Sequence, residues 1–217
     1  MTATSRPRVR QHGGVSDEPD RRGAFEHAVD GLVGLRLLGV AYADVAALGP
    51  EPRVWDHEDW HHAVLGVELV TDAGTRAITW AWTFGCHGVE VFDRLPLAAP
   101  APGAEGGPET WSVSAHPRWA GRLGATVTSA AAVWGPPAGE RGAADVPLAH
   151  RVEVGGGPVW FVAATSGAPG EAVDLGADEV VLLFTDEDAA RLGLPLPGLV
   201  RPRSAVAAAR TPAEPAT

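Results

Sequence analysis

Hydrophobic and polar positions along this chain change period many times, and each change predicts a short element. Phe25, Val29, Leu32 and Val33 stand at helical spacing, and Gly31 and Gly34 keep that helix short. Leu35 to Tyr42 (LRLLGVAY), apolar but for Arg36, is a buried strand candidate. A loop follows, at its widest Ala46 to Trp60, and Val64 to Val70 reads as the next strand. Asp72-Ala73-Gly74 predicts a three-residue hairpin loop with glycine at the left-handed position. Beyond it, Ile78, Trp80 and Trp82 alternate with Ala77, Thr79 and Ala81, which places three large residues on one face of a return strand. Val89 to Phe92 is one more short strand.

The second half has the same texture. A short irregular or helical piece near His116–Leu123 precedes strands at Ala125–Val133, Leu148–Val154, Val159–Ala163 and Val180–Phe184. Thr185 then caps a helix over Asp186–Leu192, whose acidic first turn suits the helix dipole. The order of elements repeats. Gly34 and Val40 are matched by Gly121 and Val127, Val67-Glu68-Leu69 by Val152-Glu153-Val154, Trp80 by Trp160, and Phe92 by Phe184. Each copy alone would leave an apolar face exposed, so the two are expected to bury those faces together.

The pattern therefore predicts an α+β fold, predominantly β. It has about eight strands in two similar four-strand units packed together, with one to three short helices. The expected organisation is a disordered basic tail over 1–22, a first β unit over 23–96, a linker over 97–110, a second β unit over 111–197 and a disordered tail over 198–217. Residues 97–109 (LAAPAPGAEGGPE) are linker-like in composition.

The segment Trp55-Asp56-His57-Glu58-Asp59, followed by VELxxDxGTxxxxTW over Val67 to Trp80 and later by Arg118-Trp119 and Gly121, resembles a family of uncharacterised actinobacterial proteins. The resemblance spans about residues 30–190. It implies a duplicated β-rich unit and brings no activity with it.

Composition narrows the functional classes. The 217 residues carry 27 acids against 17 basic residues, all of them arginine, for a net charge of −10. The acids concentrate in the body: residues 23–197 hold nine Arg against 23 acids, and each end is slightly basic. An acidic body repels phosphate backbones, so nucleic acid is not an expected partner. No run approaches the roughly 18 apolar residues needed to span a bilayer, and the N-terminus has no signal-peptide core. A cytoplasmic protein without membrane contact is expected. Cys86 is the single cysteine, so no internal disulfide forms. Phosphate-binding loops, G-x-S-x-G elbows and C-x-x-C pairs are absent.

Three features carry candidate chemistry. His57-Glu58-Asp59-Trp60-His61 matches H-E-x-x-H. On a helix this spacing brings two imidazoles to one face for zinc, with Glu58 as general base and a further ligand from His62, Glu68, His87 or Glu90. The nearby Pro50 and Pro52 and the closely following strand instead favour a polar loop. A metal site of another kind would draw on His57, His61, His62 and His87. Cys86-His87 pairs a thiol with an imidazole, but neighbours on a strand point to opposite faces, and Cys86 reads as a small buried hydrophobe. The eight tryptophans either fill the space between the β units or line a surface, and Trp55 and Trp60 flank the histidines.

Three readings follow. The first is a non-catalytic cytoplasmic module that binds a protein or small-molecule ligand, without cofactor. Its contact surface is the acidic aromatic loop 53–62, with Trp55, Asp56, His57, Asp59 and Trp60 as binding residues, extended by residues 84–90. The alternative is a zinc-dependent hydrolase built on His57, Glu58 and His61. A metal-free enzyme using His57 and Asp59 as acid and base is a third arrangement. Oligomeric state is not encoded in any pattern above.

Overall fold

The computed structural model describes residues 18–45, 54–96, 108–136, 145–166 and 173–194. It is predominantly β, with ten antiparallel strands in two five-stranded sheets and three short helices among these residues. Helix α1 (Glu18–Asp30) leads into β1 (Leu37–Val45), β2 (Trp60–His62), β3 (Gly66–Thr71), β4 (Gly74–Ala81) and β5 (Gly88–Phe92). The chain continues through β6 (Pro108–Ser112), α2 (Pro117–Ala120), β7 (Val127–Gly135), β8 (Val146–Val154), β9 (Gly157–Ser166), β10 (Val173–Leu183) and α3 (Asp186–Arg191). Among the described residues no helix is long and apolar enough to cross a membrane.

The first sheet has the order β5-β4-β3-β1-β6, the second β2-β10-β9-β8-β7. Each contains a four-strand meander, and the two meanders pair in matching register. Val40 faces Leu69 in the first, and Ala130 faces Val152 in the second. Trp80 faces Val89, and Ala163 faces Val180. This places Gly124, not Gly121, at the position of Gly34, Val152 at that of Leu69, Ala163 at that of Trp80, and Leu183 at that of Phe92. The offsets read from sequence identities were slipped by one to three residues, because few side chains are shared and the hairpin lengths differ.

The two units meet across a local two-fold exchange of backbone hydrogen bonds. The amide of Gly34 donates to Val127 O and that of Gly124 to Leu37 O, at 2.9 and 2.7 Å. Leu37 N donates to Ala125 O and Val127 N to Leu35 O, both at 2.9 Å. Gly34 and Gly124 have φ of +89° and +80°, a conformation that side chains with a Cβ disfavour.

Period two decides what each strand buries. Val40, Tyr42, Val67, Leu69 and Ile78 of the first sheet join Val152, Phe161, Ala163, Val180 and Leu182 of the second in the central core. On the other face of the second sheet, Trp160, Val162, Val181 and Leu183 pack with Ala189 of α3 and with Leu194. Strands β9 and β10 are thus buried on both faces, which is why they read as continuous apolar runs. Helix α3 begins as expected: Thr185 is its N-cap and accepts from the amide of Asp188 at 3.0 Å.

Several expectations need correction. Helix α1 starts at Glu18, inside the segment expected to be a tail, and Arg22 pairs with Glu26 at 3.0 Å and lies over the Trp134 ring. Residues 1–17 and 195–217 lie outside the described residues. In the 97–110 linker, Pro108 to Thr110 already belong to β6; residues 97–107 are not described. Phe25, Val29 and Leu32 are buried, but Val33 faces solvent. Thr71 pairs with Gly74, so the β3–β4 turn holds two residues rather than three. Two strands were not foreseen. Strand β2 leaves the first unit to border β10, and β6 joins the first sheet beside β1.

These two strands close one seam of the sandwich. Helix α1 closes the opposite seam, packing on β5 and β7 through Phe25, whose ring meets Phe84, Trp134 and His150. The candidate site lies at the β2/β6 seam.

Candidate functional site

The H-E-x-x-H segment forms a tight turn rather than a helix. The amide of His57 donates to Trp60 O at 3.0 Å, and that of His62 to Trp55 O at 2.7 Å. Asp56 and His61 form a β-bridge across the turn. The Asp56 carboxylate accepts from the amide of Glu58 at 3.0 Å, a local bond that competes with helix formation at aspartate. Glu58 sits at φ +66°, the one non-glycine residue with positive φ among those described. Arg118 from α2 holds this turn by donating to Glu58 O at 2.7 Å.

This backbone redistributes the histidines. His57 leaves the interior and stacks on Trp60, with ring centroids 3.9 Å apart and planes 10° apart. His61 points inward and is fully buried. His62 reaches Glu179 at 2.9 Å. His87 lies between Trp80 and Trp82 on the β4–β5 loop. Glu58 and Asp59 are exposed at the tip. Glu68 and Glu90 alternate with core residues on the first sheet, so both face away from the central core. The expected ligand set His57, His61, His62 and His87 is therefore not gathered at one point, and of the four only His61 joins the cluster at the seam. Residues 84–90 belong to the opposite seam, where Phe84 packs on Trp134 and Gly88 on Pro147, so they do not extend the 54–62 surface.

What gathers around His61 is a different set. Asp56, opposite it across the turn, approaches His61 Nε2 to 3.6 Å. His116, the N-cap of α2, places its Nε2 3.0 Å from Asp56 Oδ2. One donor atom from each of the three lies within 4.8 Å of the other two. The cluster is backed by a buried chain. Trp119 Nε1 can only donate, and it donates to Tyr42 Oη at 2.6 Å; Tyr42 Oη meets His61 Nδ1 at 2.6 Å. Trp55 packs edge-on against Tyr42, His61 and His116, and so forms a wall of the site. His61 Nε2 is buried without a hydrogen bond.

The electrostatics follow from these neighbours. Burial pushes the His61 imidazole down to about 4; the positive charge of His116 adds to this, Asp56 opposes it, and Arg118 and His57 lower it further. His61 is therefore neutral near pH 7. Burial works against the charge on Asp56, but the Glu58 amide, the His116 hydrogen bond and the charges of His61 and His116 prevail and hold its carboxyl below the usual range. Burial raises the Tyr42 phenol against the Trp119 hydrogen bond, so Tyr42 keeps its proton.

His116 was missed by the sequence reading. It lies 55 residues beyond His61, and its one local signal was a histidine directly before the Pro117 that opens a helix, a capping position. No family model, curated protein or solved structure matches this chain.

Proposed function

We propose that this chain is a non-catalytic cytoplasmic binding module whose contact surface is the turn 54–62. The observation that carries the reading is the pre-organisation of that turn. A strained glutamate, Glu58, is held at φ +66° by an aspartate bond from below and by Arg118 from the side. Backbone strain of this kind costs on the order of 1–3 kcal/mol and persists where its surroundings over-determine it. A rigid tip loses little conformational freedom on binding, which favours affinity. The tip offers the carboxylates of Glu58 and Asp59 beside the flat His57–Trp60 pair. That combination suits a cationic partner, such as an arginine- or amine-bearing surface.

The zinc-hydrolase alternative draws no support from the placement of His57 and Glu58. It needs His57 and His61 on one helical face with Glu58 between them, whereas here His57 stacks outside and Glu58 is at the tip.

The test is NMR titration of the protein with arginine-containing peptides and polyamines, alongside the Glu58→Lys/Asp59→Lys variant. Shifts centred on residues 54–62 that vanish in the variant support the reading. Equal binding by the variant, shifts confined to another face, or turnover of an ester or peptide substrate sinks it.

A further inference from the structure

The geometry points to a mononuclear site for a divalent transition-metal ion of the zinc class, held by Asp56, His61 and His116 at the seam between the two sheets. This shares Asp56 with the turn of the proposed contact surface, but Glu58 and Asp59 take no part in it.

Distance is the first argument. Zinc bonds of about 2.0–2.2 Å to nitrogen and oxygen put tetrahedral donor atoms roughly 3.3–3.5 Å apart. The Asp56 carboxylate stands 3.0 Å from His116 Nε2 and 3.6 Å from His61 Nε2, and the whole triad fits within 4.8 Å. Modest side-chain rotations complete the sphere. The second argument is the state of His61. Its Nε2 is fully buried, aimed into the cluster and without a hydrogen bond. Such an atom ordinarily finds a partner, and an ion supplies one. Third, two imidazoles and one carboxylate form a borderline donor set suited to zinc-like ions rather than to calcium or magnesium.

The shell behind the ligands fits as well. A ligating histidine commonly gives its other N–H to a fixed acceptor. For His61 that acceptor is Tyr42 Oη, which is positioned by Trp119 and has a lone pair for each donor. Binding shifts the His61 proton from Nε2 to Nδ1 and turns the phenol proton away. His116 gives up its bond to Asp56 and its weak 3.3 Å bond from the Arg118 amide. The Asp56 and His116 side chains are 40% and 22% exposed, so the ion has a route in and a fourth position open to solvent.

Full-length protein stripped with a chelator and titrated with Zn²⁺ and Co²⁺ tests this. One ion per chain is expected, with the intense visible absorption of four-coordinate Co²⁺. His116→Ala and Asp56→Asn keep the fold, because Asn can still accept from the Glu58 amide. Each should weaken binding more than about 100-fold, since loss of an outer partner alone costs about 10–100-fold. His57→Ala and His87→Ala should bind as wild type. A Zn²⁺-dependent change of the His61 tautomer to Nδ1–H, read by long-range ¹H–¹⁵N correlation, checks the site without any substitution. The proposal is overturned by a folded wild type that binds no stoichiometric Zn²⁺ or Co²⁺, by undiminished binding in His116→Ala and Asp56→Asn, by binding lost in His57→Ala, or by a His61 tautomer that Zn²⁺ leaves unchanged.

Discussion

Replacing His150 by leucine removes a fully buried imidazole from the interior of the fold. His150 lies on β8 in the position that Val67 occupies on β3, facing Phe161 and Ala132 across the sheet and the ring of Phe25 under α1. It is fully buried, and neither ring nitrogen makes a hydrogen bond of normal geometry. Burial pushes its imidazole down to about 3 from 6.5, with the nearby backbone of Val89 and Ala149 only partly opposing. The folded protein thus keeps His150 neutral where the unfolded chain would protonate it. Stability is complete above pH 6.5 and is lost as pH falls from 6.5 towards 3. Between pH 7 and pH 4.5 that loss is about 2–3 kcal/mol from this residue alone. The leucine variant has no such proton to take up. At pH 7 it should be more stable than wild type by about 1–3 kcal/mol, the cost of unpaired buried polar atoms. At pH 4.5 the advantage should grow further, by about 2–3 kcal/mol. Urea denaturation of both proteins at the two pH values measures the difference of differences, and contributions from all other groups, His61 included, cancel. Equal losses in the two proteins on acidification would refute the reasoning, and a variant weaker than wild type at pH 7 would show that the ring is paired after all.

Tyr42→Phe leaves Trp119 Nε1 and His61 Nδ1 buried without partners, and should cost about 2–5 kcal/mol by chemical denaturation; a loss below 1 kcal/mol would contradict the chain of bonds. Glu58→Gly relieves a left-handed residue at the turn tip and should be neutral to stabilising by about 1 kcal/mol in thermal unfolding, whereas a large loss would mean the glutamate side chain supports the fold. Gly66→Ala puts a Cβ within 2.6 Å of Ile78 O at φ +132° and should prevent normal packing. Gly34→Ala meets only open space, so its cost should be confined to backbone strain, about 1–2 kcal/mol; comparable unfolding midpoints for the two alanine variants would sink this distinction.

Much of the fold was legible because strand and cap signals are local. Alternation at Ile78 and Trp80 placed β4, the apolar run Val159–Ala163 placed β9, and Thr185 with its acidic first turn placed α3. The duplication was legible as an order of elements but not as a register. What pairs Val40 with Leu69 and Ala130 with Val152 is hydrogen bonding along the strands, which leaves few shared letters.

The sequence by itself determined that this chain forms two β meanders with a shared apolar interior, since periodicity and turn residues act over a few positions. It also flagged the right neighbourhood, Trp55 to His62. Only the tertiary structure decided which residues there belong together. Asp56 bends the chain through its own side chain, so the H-E-x-x-H spacing of four is spent on a turn that sends His57 outward and His61 inward. Strands β2 and β6 then cross to border β10 and β1, and His116 arrives from the helix beyond β6. Residues 60 positions apart become neighbours because two sheet edges meet at one seam, and no local pattern in the chain records which edges will meet.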